Sequence, residues 1–327
     1  MSGAGSATLL VVGDVVTDIV ARHRTPLVPA TDTAARIATL PGGAGANVAC
    51  WAARSGARDV RILARVGADA ADGHERALRA AGVRPHLVVD PEAPTGTVIS
   101  LVGPDGERTF LTDSGTVLRL SAADWSDDLL AGVGHLHVSG YLFFADPSRT
   151  AARLAMEAAR ARSVPVSVDP ASAGFIARFG VDRFLTAVAG ADTLLPNHDE
   201  AALLTGLPDP ADAAAKLSRQ FPLVVSTQGS GGALVAASGA VVARVPAEPA
   251  GAVDTTGAGD AFTGAFLAAR LAGRDPAEAA RRGCRAGAEA VTLIGARPRL
   301  GPRPRPRPRP RPPEDPPERA APSGLSS

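Results

Sequence analysis

The chain has few cysteines and few aromatic residues, and each shortage narrows the class of protein. Cys50 and Cys284 are its two cysteines and no C-x-x-C pair occurs, which argues against a disulfide framework or a zinc ribbon. Aromatic residues make up 4% and hydrophobic residues 45% of the sequence, so a sizeable core must be built from alanine, valine and leucine. We therefore predict a globular protein of a reducing compartment.

Signals for membranes, export and nucleic acids are also missing. No apolar run is long enough to span a bilayer, and the first residues, MSGAGSATLLVVGD, lack the basic region of a signal peptide. The net charge of +1 gives no field that would recruit nucleic acid. Lys216 is the single lysine and stands in no G-x-x-x-x-G-K-[ST] motif, which argues against a P-loop kinase. We expect a cytoplasmic protein without nucleic-acid or membrane partners.

The most informative stretch is AVDTTGAGDAFTGAFLA at residues 252–268, where a glycine turn leads into a helix pattern. Glycines let several backbone N–H groups point at one spot, and a helix N-terminus adds its positive dipole end. Gly257, Ala258 and Gly259 are therefore candidates for holding a phosphoryl group, with Asp260 beside them to accept a proton. The alternative is an ordinary helix entry with Asp260 as N-cap.

This stretch resembles the C-terminal signature of the PfkB (ribokinase-like) carbohydrate kinase family. PGGAGANVA at residues 41–49 resembles the N-terminal signature, and the two stand in the family's order. The resemblance covers about residues 8–301. It implies transfer of the ATP γ-phosphate to a hydroxymethyl group of a carbohydrate, with ATP and Mg²⁺ as cofactors. In that interpretation Asp260 is the catalytic base, and Gly257, Ala258 and Gly259 form the anion hole.

The resemblance also implies a set of residues that bind the acceptor substrate. Asp18, which follows the buried strand pattern of residues 8–13, matches the family's sugar-binding aspartate. The others are Gly42, Gly43, Asn47 and Arg108. From the residues alone, a loop-capping aspartate, a glycine-rich helix entry and an exposed strand arginine remain as alternatives.

A third group is expected to bind ATP. PNHDEAALLTG at residues 196–206 resembles the family's P-N-x-x-E motif, in which Glu200 would hold Mg²⁺ through water and Asn197 would contact phosphate. The QGSGGAL loop resembles a nucleotide loop and adds Thr227, Gly229 and Gly232. The alternatives are a capping box between Asn197 and Glu200 and a plain glycine-rich turn.

A potassium site is the last feature that the resemblance implies. VTLIGA at residues 291–296 resembles the ribokinase stretch whose carbonyls hold the ion. The residues expected around it are Asp254, Thr256, Ala290, Leu293 and Gly295.

Three departures leave the acceptor open. Val16, Ala44 and Gly140 stand where ribokinase has asparagine, lysine and glutamate. A sugar is expected, and the alternatives are a nucleoside such as adenosine or pseudouridine, or a non-catalytic regulator that binds a sugar or nucleotide.

Strand and helix patterns alternate along the chain, which predicts an α/β three-layer sandwich with a small β-sheet lid. We expect one domain over residues 1–300, with lid strands within about 15–40 and 95–113. Residues 301–327, rich in arginine and proline, are expected to form an extended, disordered tail. A homodimer formed through the lid is also expected.

Overall fold

The computed structural model of the protein describes residues 8–104 and 108–299. Within these residues, nine strands form one large sheet and four strands form a second, smaller one. In chain order the strands are β1 (Thr8–Val12), β2 (Val16–His23), β3 (Ala35–Gly42), β4 (Asp59–Gly67), β5 (Arg84–Asp90), β6 (Gly96–Val102), β7 (Arg108–Asp113), β8 (Val133–Ser139), β9 (Val166–Asp169), β10 (Thr193–Leu194), β11 (Leu223–Thr227), β12 (Ala233–Ala237) and β13 (Ala240–Val245).

Helices alternate with the strands of the large sheet. They are α1 (Ala44–Arg54), α2 (Ala71–Ala80), α3 (Asp146–Ala161), α4 (Ala173–Phe179), α5 (Val181–Ala187), α6 (His198–Thr205), α7 (Pro210–Leu217), α8 (Ala258–Leu271) and α9 (Pro276–Ala290).

The large sheet has the order β13-β12-β11-β10-β9-β8-β1-β4-β5. Pairing is parallel from β11 to β5, while β12 and β13 add an antiparallel edge. Parallel neighbours place their carboxyl ends at one edge, where open α/β sheets bind ligands. The strands β1, β8 and β9 lie at the middle of this edge.

Both faces of the large sheet are covered by helices. Leu10 and Val12 of β1 pack into a cluster that includes α3 to α7, while Leu9 and Val11 pack into one that includes α1, α2, α8 and α9. Since every residue of β1 is buried, its unbroken apolar run is explained by burial on both sides. The predicted three-layer sandwich is confirmed.

The small sheet has the order β3-β2-β6-β7 and corresponds to the expected lid. In its register Asp18 lies beside Leu40 and Val98, and Val98 lies beside Thr112. Side chains of laterally paired residues point to the same face of a sheet, so Asp18 shares its face with Val98 and Thr112. This face turns toward the carboxyl edge of the large sheet.

Some element boundaries differ from the sequence-based expectation. Helix α8 begins at Ala258 rather than near Ala261, because Gly257 takes the left-handed conformation and starts the helix earlier. The strand expected over 191–196 shortens to Thr193–Leu194. The expected hairpin turn at 105–106 and the tail lie outside the described residues, as does residue 300 at the end of the proposed domain. The domain boundaries stay a prediction.

Candidate active site

Asp14 stands at the carboxyl end of β1 and organises the start of α1. Its carboxylate accepts hydrogen bonds from the backbone N–H groups of Ala44 (2.6 Å) and Gly45 (3.0 Å). The Ser139 hydroxyl, at the end of β8, donates to it over 2.7 Å. Carboxylates stabilise helix N-termini in this way, so Asp14 fixes the glycine-rich loop before α1 against the sheet.

Asp260 lies in the first turn of α8 and is joined to α1 by a side-chain contact. The Asn47 amide Nδ2 donates to its carboxylate over 2.8 Å. Burial raises the pKa of Asp260 well above its ordinary value, and the charges of Asp169, Asp14 and Asp18 act in the same direction. The carboxylate is therefore a stronger base than a solvated aspartate, held in one orientation by Asn47.

The turn before α8 needs a glycine at position 257. Gly257 has φ +75°, and a Cβ there would come within 2.5 Å of the Ala296 Cβ. The first N–H groups of an α-helix have no partner inside the helix, so a turn of this kind directs donors outward at its N-terminus. Gly257, Ala258 and Gly259 thus stand where the sequence places an anion hole.

A cavity of about 710 Å³ opens on one side of this turn. We call it the acidic cavity; its polar lining includes Asp14, Asp18, Asn47, Asp169, Thr256 and Asp260. Gly43 and Ala44 also line it, and Gly42 lies directly against the Asp18 carboxylate, where any Cβ would collide with it. The structure brings together Asp18, Asn47 and Asp260, which are far apart in the chain.

Asp18 reaches the acidic cavity from the small sheet. Its pKa is raised to about 6, mainly because burial disfavours the charged form. The Arg297 guanidinium opposes this rise, whereas Asp14 and Asp254 add to it. The carboxylate is charged at neutral pH and loses its charge in mild acid.

The acidic cavity also has an aromatic wall, formed by Tyr141, Phe144 and Phe175. Phe144 and Phe175 stack with ring centroids 5.3 Å apart, and Tyr141 meets Phe175 edge-on at 5.6 Å. The Arg178 guanidinium lies over the Phe175 ring at 4.6 Å, and Phe110 of the small sheet faces the same cavity. In a chain with 4% aromatic residues this is a marked concentration.

A second cavity, of about 550 Å³, opens on the other side of the turn. We call it the small-residue cavity, because glycine, alanine and other short side chains dominate its lining. Ala258 and Gly259 contribute from α8, and the expected nucleotide residues Thr227, Gly229 and Gly232 contribute from the loop after β11. The residues 256–260 therefore separate two cavities of different chemistry.

Asn197 and Glu200 form a capping box at the start of α6. Glu200 N donates to Asn197 Oδ1 and Asn197 N donates to a Glu200 carboxylate oxygen, both over 2.9 Å. Burial and the nearby Asp169 charge raise the pKa of Glu200. Among the described residues, neither side chain lines the two cavities, so their ATP and Mg²⁺ roles stay predictions.

The residues expected around potassium come from two adjoining segments. Asp254 accepts from Thr256 N at 2.9 Å and from Gly295 N at 3.0 Å, which ties these segments together. Ala290 is the last residue of α9, and Leu293 follows it, buried. The structure therefore brings the predicted set close to the turn before α8.

Two expectations of a different kind have different outcomes. The backbone of Arg108 begins β7, but its side chain lies outside the described residues, so its contact with substrate stays a prediction. In the described part of the chain, no helix is long and apolar enough to cross a membrane.

Sequence reasoning missed the contribution of Arg297. Its Nη2 donates to the Gly42 carbonyl over 3.0 Å, and its Nε lies 3.4 Å from the Asn47 Oδ1. No motif or spacing marks this arginine, because it follows the VTLIGA stretch and only the fold brings it beneath the acceptor loop. Tyr141 and Asp169 were also outside the predicted set, although Asp169 ends a predicted strand.

Comparisons with known proteins agree with this geometry. The family model described as pfkB family carbohydrate kinase matches residues 6–300. A fructokinase of Klebsiella pneumoniae is 34% identical over 274 residues, which cover 79% of this chain and 82% of the relative.

Two solved structures share the fold. The adenosine kinase from Sinorhizobium meliloti has a TM-score of 0.82 and 26% identity, covering 90% of this chain and 96% of that one. A candidate ribokinase II from E. coli, in complex with ATP and Mg²⁺, has a TM-score of 0.79 and 25% identity, covering 88% and 94%. This chain belongs to the pfkB family of carbohydrate kinases, which are phosphotransferases with an alcohol group as acceptor.

Proposed function

We propose that the protein transfers the γ-phosphate of ATP to a hydroxymethyl group of a carbohydrate, with Asp260 as the catalytic base. The observation that carries this proposal is the position of the turn at residues 256–260. Asp260 and Thr256 face the acidic cavity, whereas Ala258 and Gly259 face the small-residue cavity. An acceptor and a nucleotide bound in the two cavities would meet at this turn.

The chemistry follows from these positions. Asp260 accepts the proton of the acceptor hydroxyl while that oxygen forms a bond to the γ-phosphorus. The bond from phosphorus to the β–γ bridging oxygen breaks, and ADP leaves with the electron pair. N–H groups of Gly257, Ala258 and Gly259 stabilise the charge on the transferring group, so most of the catalysis comes from positioning and electrostatics.

The small-residue cavity suits the nucleotide. Its short lining side chains leave room for a base and ribose, and Thr227, Gly229 and Gly232 are proposed to contact ATP together with Asn197. Asp18, Gly42, Gly43, Asn47 and Arg108 are proposed to bind the acceptor on the other side.

Magnesium fits the acids behind the turn. Asp169 and Glu200 are buried near one another, and their mutual repulsion adds to the rise in the pKa of Glu200. A cation nearby would relieve this repulsion, and Mg²⁺ keeps several waters, through which Glu200 is proposed to hold it. When bound, Mg²⁺ neutralises charge on the phosphates.

Potassium is proposed for the adjoining segments. Both Asp254 oxygens already accept backbone N–H groups, so an ion there would rely mainly on backbone oxygens of Ala290, Leu293 and Gly295, with Thr256. Replacing K⁺ by Na⁺ at constant ionic strength is expected to lower kcat. An unchanged kcat would remove the potassium site.

The main test is ADP release from Mg²⁺-ATP across a panel of ketohexoses, aldoses and sugar acids. We expect at least one sugar to stimulate release well above the ATPase background, and ³¹P NMR of the product to show a phosphate ester on a hydroxymethyl carbon. Silence with every sugar would contradict the carbohydrate acceptor.

A nucleoside is the second candidate acceptor, and the aromatic wall favours it. Tyr141, Phe144 and Phe175, opposed by Phe110, offer apolar surface on which a nucleobase stacks. The same assay with adenosine and pseudouridine decides between the two. A nucleoside with kcat/KM at least tenfold above every sugar would replace the carbohydrate proposal.

A homodimer through the small sheet is proposed from its outer face. Ile37 and Leu111 are 69% and 54% exposed there, and Ile19 and Ile99 lie between them in the register. Burying this apolar face against a second copy would remove it from water. Light scattering is expected to give a dimer for the wild type and a monomer for Ile37→Lys/Leu111→Lys; a monomeric wild type would contradict the proposal.

A cytoplasmic location is proposed because Cys50 and Cys284 are both free and buried. Free thiols persist in reducing compartments. Fractionation of the producing cell with an antibody against the chain tests this; recovery outside the cytoplasm would contradict it.

A further inference from the structure

Arg297 is held under the acceptor loop by backbone contacts on both sides. The Trp51 indole N–H donates to the Ala296 carbonyl over 2.9 Å, which fastens the segment to α1. Gly257 packs against Ala296 from the other side. The position of the guanidinium is therefore coupled to the turn that carries Asp260.

The guanidinium makes two contacts and retains one N–H group. Nη2 donates to the Gly42 carbonyl (3.0 Å), and Nε points to the Asn47 Oδ1 (3.4 Å). Nη1 is buried and has no hydrogen-bond partner among the described residues. A buried arginine with an unused donor is costly, so its retention calls for a function.

The chemistry of Arg297 decides the orientation of the Asn47 amide. A guanidinium has only donors, so the amide must turn its oxygen toward Arg297. Its NH₂ group then faces Asp260, to which it donates over 2.8 Å. The reverse orientation would place the amide oxygen against a carboxylate and the NH₂ group against a guanidinium.

The charge of Arg297 acts on Asp18. The other titratable groups that feel Arg297 are His74 of α2 and Cys50 of α1; burial lowers the pKa of His74 to about 4 and raises that of Cys50, so both are uncharged at neutral pH. Asp14 and Asp254 face Asp18 with negative charge, which opposes its ionisation. Arg297 is the cation that offsets them.

We propose that Arg297 is a positioning residue of the acceptor site, which orients Asn47 toward Asp260 and keeps Asp18 ionised so that it accepts hydrogen bonds from substrate hydroxyls. The inference rests on the proposed function for its kinetic consequences, whereas the state of Asp18 can be measured without turnover.

The kinetic test compares Arg297→Met and Arg297→Lys with Arg299→Met, an exposed arginine two residues further along. In Arg297→Met we expect the acceptor KM at pH 7 to rise about tenfold and to recover by pH 9, because Asp18 ionises only at higher pH. We expect kcat to fall about tenfold at every pH, because Asn47 loses its fixed orientation. Arg299→Met should match the wild type.

Arg297→Lys separates charge from geometry. Lysine keeps the positive charge but cannot contact Gly42 and Asn47 with a rigid fork. We therefore expect the acceptor KM at pH 7 to return to within about threefold of the wild type, with kcat still reduced.

The test that needs no turnover is a ¹³C NMR titration of aspartate carboxyls, with the Asp18 signal assigned by its loss in Asp18→Asn. In Arg297→Met the midpoint of Asp18 should move to higher pH by about one pH unit, and in Arg297→Lys it should stay near that of the wild type. An unchanged midpoint in a folded Arg297→Met protein would overturn the proposal, as would equal losses in the Met and Lys variants. An inactive wild type with the expected NMR shift would instead remove only the proposed function.

Discussion

The two cavities on either side of the turn at residues 256–260 are built from different parts of the chain. The acidic cavity is formed by functional side chains: carboxylates, an amide and aromatic rings that come from both sheets and from helices α1, α4 and α8. The small-residue cavity is formed largely by backbone and short side chains of the loop after β11 and of helices α8 and α9.

This difference shows where specificity resides. A cavity of glycine and alanine discriminates by shape and backbone donors, so it can serve one common nucleotide in many relatives. A cavity of carboxylates and aromatic rings discriminates by individual hydrogen bonds and stacking, which a few substitutions alter. We therefore expect substitutions to separate into effects on the acceptor, effects on ATP and effects on the shared turn.

The largest effect is expected at the shared turn. Gly257→Ala introduces a Cβ into the left-handed conformation and against Ala296, so the N–H groups of the turn must move. We expect kcat to fall about 100-fold, as when a donor is lost from an oxyanion hole. Gly273→Ala is the matched control, because Gly273 has φ +76° and a Cβ added there would meet no atom within 4 Å. Equal activity in the two variants would contradict a catalytic turn.

Asp18→Asn should act on the acidic cavity alone. Removing the charge weakens hydrogen bonds from substrate hydroxyls, for which charge-assisted bonds are worth about 1.5–3 kcal/mol, so the acceptor KM should rise about 30-fold. The KM for ATP should not change, since Asp18 does not contribute to the described lining of the small-residue cavity. A parallel rise in both KM values would show that the cavities are not independent.

Acid should have the same selective effect. The pKa of Asp18 is raised to about 6, so the carboxylate loses its charge as the pH falls through this value. If only the ionised form binds the acceptor, KM at pH 5 should be about tenfold higher than at pH 7.5. Asp18→Asn should abolish this dependence. A flat KM profile in the wild type would remove the ionised Asp18 from acceptor binding.

The smallest effect is expected from filling the small-residue cavity. Ala288 of α9 lines it, and Ala288→Leu should raise the KM for ATP about fivefold by occupying space, with the acceptor KM unchanged. Arg281→Leu, on the exposed side of α9, is the control. An unchanged KM for ATP would place the nucleotide elsewhere.

The sequence was sufficient for the layers, for most strands and for the turn at Gly257, because buried apolar runs and glycine turns are local signals. It also named Asp18, Asn47 and Asp260, although their approach to one another depends on the fold. It could not find Arg297, whose partners Gly42 and Asn47 lie about 250 residues away. Nor could it show the aromatic wall, because Tyr141 and Phe175 belong to different elements that meet only after folding.

The central claim is that Asp260 accepts the proton during transfer, and single-turnover transfer in Asp260→Asn tests it most directly. Protein saturated with Mg²⁺-ATP is mixed with the acceptor identified by the panel, and product formation is followed by rapid quench. We expect ATP affinity within about twofold of the wild type and a transfer rate at least about 1,000-fold lower, since an amide cannot accept the proton. A transfer rate close to that of the wild type would contradict Asp260 as the base.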